Sequence, residues 1–303
     1  MDREVDGGRV LAANNHEADP WRQGLSRRGF LGFASGLAAV GICASGRRGL
    51  TWAAVDELQQ AQDPRHPTAF EQLHLPAFRM PSVTTNGAHV PLVIDMAHPM
   101  EPDHYVQSLH ILNEHDPIPS KGLFRLTPAN GRAYLGVQAR MHSGDSSVLV
   151  MAECNRHGRW AVRQSITIPE GEGGCTAPAT GPASRLADEE IQPPVIRIPE
   201  IVTRGQVRRG EVVRVQVKIK HPNRTGLIYR DGQFIQETEP FYLKAMEVFY
   251  GGQRVSRYEL GPGLSDNPFI MFTLRMTEAA PIQVVLLNSR GQRFQAMQEL
   301  ALA

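Results

Sequence analysis

A chain of 303 residues with 41% hydrophobic and 21% charged side chains has the composition of a globular protein with room for two ordinary domains, not of a disordered or membrane-embedded one. Its 32 basic groups against 31 acidic groups leave a formal charge of +1, so the charge balance recruits neither nucleic acid nor an anionic membrane surface. Those partners are excluded as the main ones.

The first segment does not read as part of a fold. Ser26-Arg27-Arg28-Gly29-Phe30-Leu31 fits the twin-arginine export pattern, and the mildly apolar GFLGFASGLAAVGICAS that overlaps it is too short and Gly-rich to span a membrane. Residues 1–54 are therefore read as a twin-arginine signal peptide, with cleavage after Ala53 or Ala54. That assignment makes the protein periplasmic, leaves no membrane span after leader removal, and takes Cys43 away with the leader. Residues 55–84 are read as an N-terminal extension, polar at first with one short helix, leading into LPAFRMPSV.

From about Ala88 the sequence changes to short β-type runs, HVPLVIDM, HYVQSLHIL, GLFRLTP and RAYLGVQARM, separated by Pro, Gly, Asn and Asp. In the last run Ala133, Leu135, Val137, Ala139 and Met141 alternate with Arg132, Gln138 and Arg140, the period of a half-buried antiparallel strand. SSVLVMAEC, the turn NRHG and RWAVRQSITI then predict a β-hairpin ending at Ile168.

Two cysteines remain in the mature chain, and an oxidising compartment would ordinarily pair them. The hairpin argues against it. Cys154 lies beside the turn and the chain leaves at the far end of the second strand, about 33 Å away over ten strand residues. The seven-residue step from Ile168 to Cys175 spans at most about 25 Å. Cys154 shares a strand face with Val148, Val150 and Ala152 and is expected to be a buried, inert thiol. Cys175 is left free, in a Gly, Ala, Pro and Thr context that offers it nothing to bury against, so it is expected to be exposed.

Residues 176–192 lack aromatics and are rich in Gly, Pro, Ala and acidic groups, the composition of a flexible linker. A second β series follows. EVVRVQVKIKHP places Val213, Val215, Val217 and Ile219 on one face, KAMEVFYGGQRVSRYEL reads as a hairpin turning at Gly251-Gly252, NPFIMFTLRM reads as a strand, and PIQVVLLNSRGQRFQAMQEL closes the chain as another hairpin. The fold class is therefore all-β: two β-sandwich domains, 85–175 and 193–303, joined by a flexible linker.

His98, His104, His110 and His115 recur closely enough to raise a copper or zinc site. No pair stands at ligand spacing on one strand, and Cys154 is too far along the chain to assign as a partner, so surface and loop positions are expected and no metal is assigned. Arg204, Arg208 and Arg209 cluster before a strand, either a docking patch for an acidic partner or an ordinary solvated loop. The chain carries no Ser-His-Asp arrangement, phosphate loop or paired carboxylates, hence no catalytic residue and no cofactor is assigned.

The order of motifs resembles a fusion of the two subunits of the Sox sulfur carrier, SoxY followed by SoxZ. DMAHPMEPDHYVQSLHIL, LFRLTPANGRAYLGVQARM, VLVMAEC and the terminal IPEGEGGC carry the SoxY likeness over roughly 85–175. IRIPEIVTRGQVRRGEVVRVQVKIKHPNRTG, FYLKAMEVFYGGQRV and DNPFIMFTLRM carry the SoxZ likeness over roughly 193–303. The resemblance implies that the two β-sandwich domains are immunoglobulin-like, and that the protein is a carrier without independent catalytic activity, holding sulfur intermediates on the Cys175 thiol of a swinging arm whose freedom comes from Gly171, Gly173 and Gly174. It implies periplasmic sulfur-oxidising enzymes and c-type cytochromes as partners. Fused carriers of this type are also similar to ones associated with quinoprotein (PQQ) alcohol dehydrogenases, which makes a non-catalytic accessory role in such a system the alternative. Two features depart from the family pattern: Thr176-Ala177-Pro178 follows the cysteine in place of two glycines, and the arm is tethered at both ends. Glu170 and Glu172 beside the thiol are expected to raise its pKa, leaving activation to partner enzymes. HPNRTG, beginning at His221, belongs to the SoxZ-like pattern and is a place where the two domains are expected to meet.

Overall fold

A computed structural model describes residues 58–171, 173–176, 191–300 and 302. The expectations for the signal peptide at 1–54 and for all but the ends of the linker at 176–192 lie outside these residues. The first half contributes β1 (Leu58–Gln59), α1 (Ala69–His74), β2 (Phe78–Arg79), β3 (Val90–Met96), β4 (Met100–Glu101), β5 (His104–Asn113), β6 (Ser120–Arg125), β7 (Ala133–Ala139), β8 (Gly144–Cys154) and β9 (Gly158–Ile168). The second contributes β10 (Val195–Arg197), α2 (Pro199–Arg204), β11 (Val212–Lys218), β12 (Leu227–Arg230), β13 (Gln233–Gln236), β14 (Leu243–Tyr250), β15 (Gln253–Glu259), β16 (Phe269–Arg275), β17 (Ile282–Asn288) and β18 (Arg293–Gln298).

The fold is all-β, and its strands form where apolar residues recur at every second position. In β11 the valines at 213, 215 and 217 are buried while Val212, Arg214 and Lys218 face solvent. The Gly251-Gly252 turn between β14 and β15 has positive φ at both positions, 56° and 78°, the backbone that a tight hairpin with the native strand twist requires. α1 starts at a capping box, in which the Thr68 hydroxyl accepts from the Glu71 N–H and the Glu71 carboxylate accepts from the Thr68 N–H. α2 opens with Pro199 in its first turn and closes at Gly205, in the left-handed region at φ 77°.

Two of the three sheets run through the junction between the halves, the third being the β12-β13 hairpin. The larger has ten strands in the order β1-β9-β8-β5-β6-β15-β14-β17-β18, with β4 added on β5; the smaller follows β10-β11-β16-β7-β3-β2. The halves join edge to edge, β6 to β15 through Leu123, Phe124 and Arg125, and β7 to β16 through Leu135 and Gly136. A Cβ at Gly136 would stand 3.1 Å from the Met271 methyl, so a side chain here would have to displace the end of Met271. Tyr258 of β15 is fully buried between Phe124 and Phe272, at ring centroid distances of 5.3 and 5.9 Å. Asn130, also buried, donates to the Ser256 hydroxyl and the Thr273 carbonyl across the seam. One hydrophobic core consequently runs through both halves.

Candidate functional site

The chain leaves β9 at Ile168 and turns at Gly171, whose φ of 84° is strained for any residue with a side chain. It then folds back against the loop that follows β7. The Gly174 N–H donates to the Met141 carbonyl at 2.7 Å, and a Cβ on Gly174 would lie 2.3 Å from Ala88 Cα. A Cβ on Gly173 would lie 2.6 Å from the Ser143 nitrogen. Gly173 and Gly174, expected to loosen the arm, are here the residues that let it pack closely.

Cys175 is buried, with 1% of its surface exposed, which corrects the expectation of an exposed thiol. The low burial capacity of its own segment misled that expectation, because the surfaces that cover the sulfur belong to both halves of the fold. The Thr225 hydroxyl donates to the Cys175 carbonyl at 2.7 Å, and Arg140 donates to the Gly174 carbonyl at 2.9 Å. Arg140 is itself 3% exposed; it pairs with Asp266 at 2.7 Å and donates to the Asn223 carbonyl. Asn223 and Thr225 lie within HPNRTG, so that motif brings the second half to the arm of the first, as expected.

A buried ion pair completes the surroundings. Lys121 Nζ reaches Asp116 Oδ2 at 2.5 Å and the Ile118 carbonyl at 2.8 Å, both side chains being closed to solvent, and Asp116 Oδ1 accepts from the His142 N–H. Burial pushes the Cys175 thiol up to about 12; Lys121 and Arg140 draw it down, while the Asp116 carboxylate, which hydrogen-bonds the thiol, raises it further. The upward direction is the expected one; burial is its largest cause and Asp116 adds to it. A thiol in this state is protonated and shielded, and so a poor nucleophile until it leaves its pocket.

Both cysteines are free thiols. Cys154 is buried as expected, but in company that its strand did not announce. His98 and His104, expected at surface and loop positions, join His74, His157 and Cys154 at the far end of β8, and His98 is 5% exposed. Burial holds His74 and His104 below the usual imidazole range and takes His98 down to about 4. His110 stays apart and contacts the Ser120 hydroxyl, and His115 is exposed in the loop after β5. Arg204 pairs with Glu211, which also accepts from the Arg208 N–H, so this cluster is partly neutralised from within.

Sequence reasoning missed Asp116, Lys121, Arg140, Asn223 and Thr225 as parts of the thiol pocket, and His74 and His157 as neighbours of Cys154. Only HPNRTG carried a signal. The others converge from separate loops and strand ends that no spacing rule connects.

Among curated proteins none matches the chain. Solved structures that share part of its shape include a variant of superoxide reductase (neelaredoxin) from Ignicoccus hospitalis, 15% identical over 38% of this chain and 96% of that one, with a TM-score of 0.33. A putative superoxide reductase from Thermotoga maritima is 16% identical over 38% and 97%, with a TM-score of 0.30, and one from Nanoarchaeum equitans is 16% identical over 33% and 97%, at 0.26. These likenesses are too slight to carry an argument. The family comparisons are of another kind: residues 65–175 match the family of the sulfur oxidation protein SoxY, ending on Cys175 itself, and residues 202–299 match that of the sulphur oxidation protein SoxZ. The chain therefore belongs to the SoxY and SoxZ families of sulfur oxidation proteins, as a fusion of one domain of each.

Proposed function

We propose that this protein is a covalent sulfur carrier that holds sulfur intermediates on Cys175 and presents them to partner enzymes, with no catalysis of its own. The observation that carries this reading is the placement of a single thiol at the end of the SoxY match, on an arm whose main-chain carbonyls accept from the Arg140 side chain of one half and the Thr225 hydroxyl of the other. Such contacts are few and can open without disturbing the sheets. Inside the pocket the sulfur is protected from stray oxidants; outside it regains the ordinary thiol pKa of about 8.5 and with it a useful thiolate fraction.

The loading step fits a thiol and no other side chain. The Cys175 thiol and thiosulfate join through a new S–S bond, releasing one proton and two electrons; a c-type cytochrome is the class of acceptor that would take the electrons. No bond to carbon changes: a reductive partner that returns two electrons and one proton releases thiosulfate and restores the thiol, whereas hydrolytic release of the terminal sulfonate as sulfate leaves a persulfide on Cys175 for a further partner. Sulfur-oxidising enzymes of the periplasm are the partners on this reading, and the twin-arginine pattern at Ser26–Leu31 supports that location.

Intact mass of the mature protein purified without reductant, with peptide mapping across residues 163–185 before and after mild reduction, tests the reading. Sulfur, thiosulfate or sulfonate adducts on Cys175 that reduction removes are the expected result. A thiol that stays bare when thiosulfate and candidate sulfur-oxidising partners are supplied, together with full function in Cys175→Ser, would overturn it.

A further inference from the structure

Cys175 sits near the start of the eleven-residue β8, where Gly173 packs on Ser143. At the other end of that strand, roughly 33 Å away, lies a second group of reactive side chains that the carrier reading does not use. His74 ends α1, His104 begins β5, Cys154 ends β8 and His157 lies in the turn to β9. One donor atom from each of the four lies within 4.8 Å of the other three. Among these, His74 Nε2 is 2.9 Å from His157 Nδ1, and Cys154 Sγ is 3.7 Å from the same nitrogen. A tetrahedral ion with bonds of about 2.0 to 2.3 Å separates its donors by roughly 3.3 to 3.8 Å. Small side-chain rotations therefore bring all four into reach of one centre.

Two further observations point inward. The Nδ1 of His74 stands 2.7 Å from the Phe70 carbonyl and the Nδ1 of His98 is 2.7 Å from the Pro99 carbonyl. Only an N–H is tolerated at that distance from a carbonyl oxygen, so each neutral ring carries its proton on Nδ1 and offers a bare Nε2 to the cluster. Imidazoles that bind metal are fixed in this manner, by a backbone acceptor on the outer nitrogen. Second, the Nε2 atoms of His98 and His104 are buried without any hydrogen-bond partner, although His98 is a 95% buried polar side chain, 5% exposed, in contact with the other rings. Orphaned polar atoms in a closed space are costly, and a bound ion would satisfy them.

We infer that His74, His104, His157 and Cys154 bind one thiophilic first-row transition-metal ion, zinc or copper, with His98 beside them as a further imidazole. Three imidazoles and a thiolate are a donor set for borderline and soft ions, whereas calcium and magnesium take oxygen. Binding a divalent ion releases one proton, that of the Cys154 thiol, and moves the His157 proton from Nδ1 to Nε2; no electron is transferred. The ion would tie α1 to the turn between β8 and β9, joining residues from the start, middle and end of the SoxY half.

The test uses the full mature chain, stripped with chelator and titrated with Co²⁺ as a spectroscopic probe, then with Zn²⁺ and Cu²⁺ in competition. One Co²⁺ per chain with a thiolate-to-cobalt charge-transfer band, displaced stoichiometrically by zinc or by copper, is expected, and the displacing ion identifies the preferred metal. Cys154→Ser should lose the band, and His104→Gln should keep it while weakening binding at least about 10- to 100-fold. Cys175→Ser should leave band and affinity unchanged, which separates this inference from the carrier reading. Absence of the band in the unsubstituted protein, its survival in Cys154→Ser, or its loss in Cys175→Ser would overturn the inference. The first of these needs no variant to fold.

Discussion

Burial at Cys175 makes its reactivity depend on the arm's position, and the pH dependence carries a definite sign. The docked thiol keeps its proton up to about pH 12, while a released one ionises near 8.5. Below about 8.5 both forms hold the proton and docking is insensitive to pH. Above it only the released form ionises, so docking weakens about tenfold per pH unit until the docked pKa is reached. Iodoacetamide labelling of Cys175 in the native protein, followed by peptide mapping, should be slow at pH 7 relative to the unfolded chain. It should keep climbing above pH 8.5, where the unfolded chain levels off. Coincident profiles would mean that the thiol is not stowed. Gly174→Ala gives the complementary result: its methyl would lie 2.3 Å from Ala88 Cα, so the arm cannot seat. Labelling at pH 7 should rise by at least tenfold with little change in Tm, because the sheets do not depend on that contact.

At the scale of elements, α1 shows how a short helix is held. Six residues are too few to be helical alone, so the capping box and the packing of His74 and Phe70 on His157 and Trp160 must hold it. Thr68→Ala removes the cap at a cost of about 1 kcal/mol, and hydrogen exchange at the Gln72 and Leu75 amides should speed about fivefold while exchange in β5 and β8 stays unchanged. The Glu71 carboxyl, held below its ordinary range by the Gln62 and Thr68 N–H groups, adds a pH signature. Its contribution is present above the usual carboxylate pKa and fades only as the pH falls through the lowered folded value. The longer strands were legible because apolar alternation specifies both their existence and their buried face. The hairpin of β12 and β13 was also encoded, by Asp231-Gly232 between two short runs and with φ of 52° and 76°, but its half-exposed strands lack a clean alternation. Arg140, one residue past the end of β7, read as solvent-facing by continuing the strand period; what covers it comes from the second half, at Asn223 and Asp266. Cys175 was identifiable from its isolation in a Gly-rich segment, but its burial was not, since the burying atoms are distant in sequence. The imidazole cluster was partly visible as His98 and His104, and hidden otherwise because α1 and the turn after β8 supply the rest.

For the molecule as a whole, the decisive feature is that neither half owns a complete sheet. β6 and β7 would present open edges without β15 and β16, and the buried contacts of Tyr258, Asn130 and Arg140 all cross the seam. An interface built from continuous β-ladders and a shared core does not need a covalent connection to persist. Cleavage at a protease site introduced between residues 181 and 186 should therefore give two fragments that still elute together as one particle and unfold in a single transition. Two-chain behaviour of this kind would also free Cys175 from its downstream tether, so its labelling at pH 7 should rise after cleavage if the tether restrains the arm, and stay slow if Arg140 and Thr225 suffice. Separation of the fragments on a sizing column, or two unfolding transitions, would show instead that the ladders at the seam are too short to hold the halves and that the linker maintains the particle.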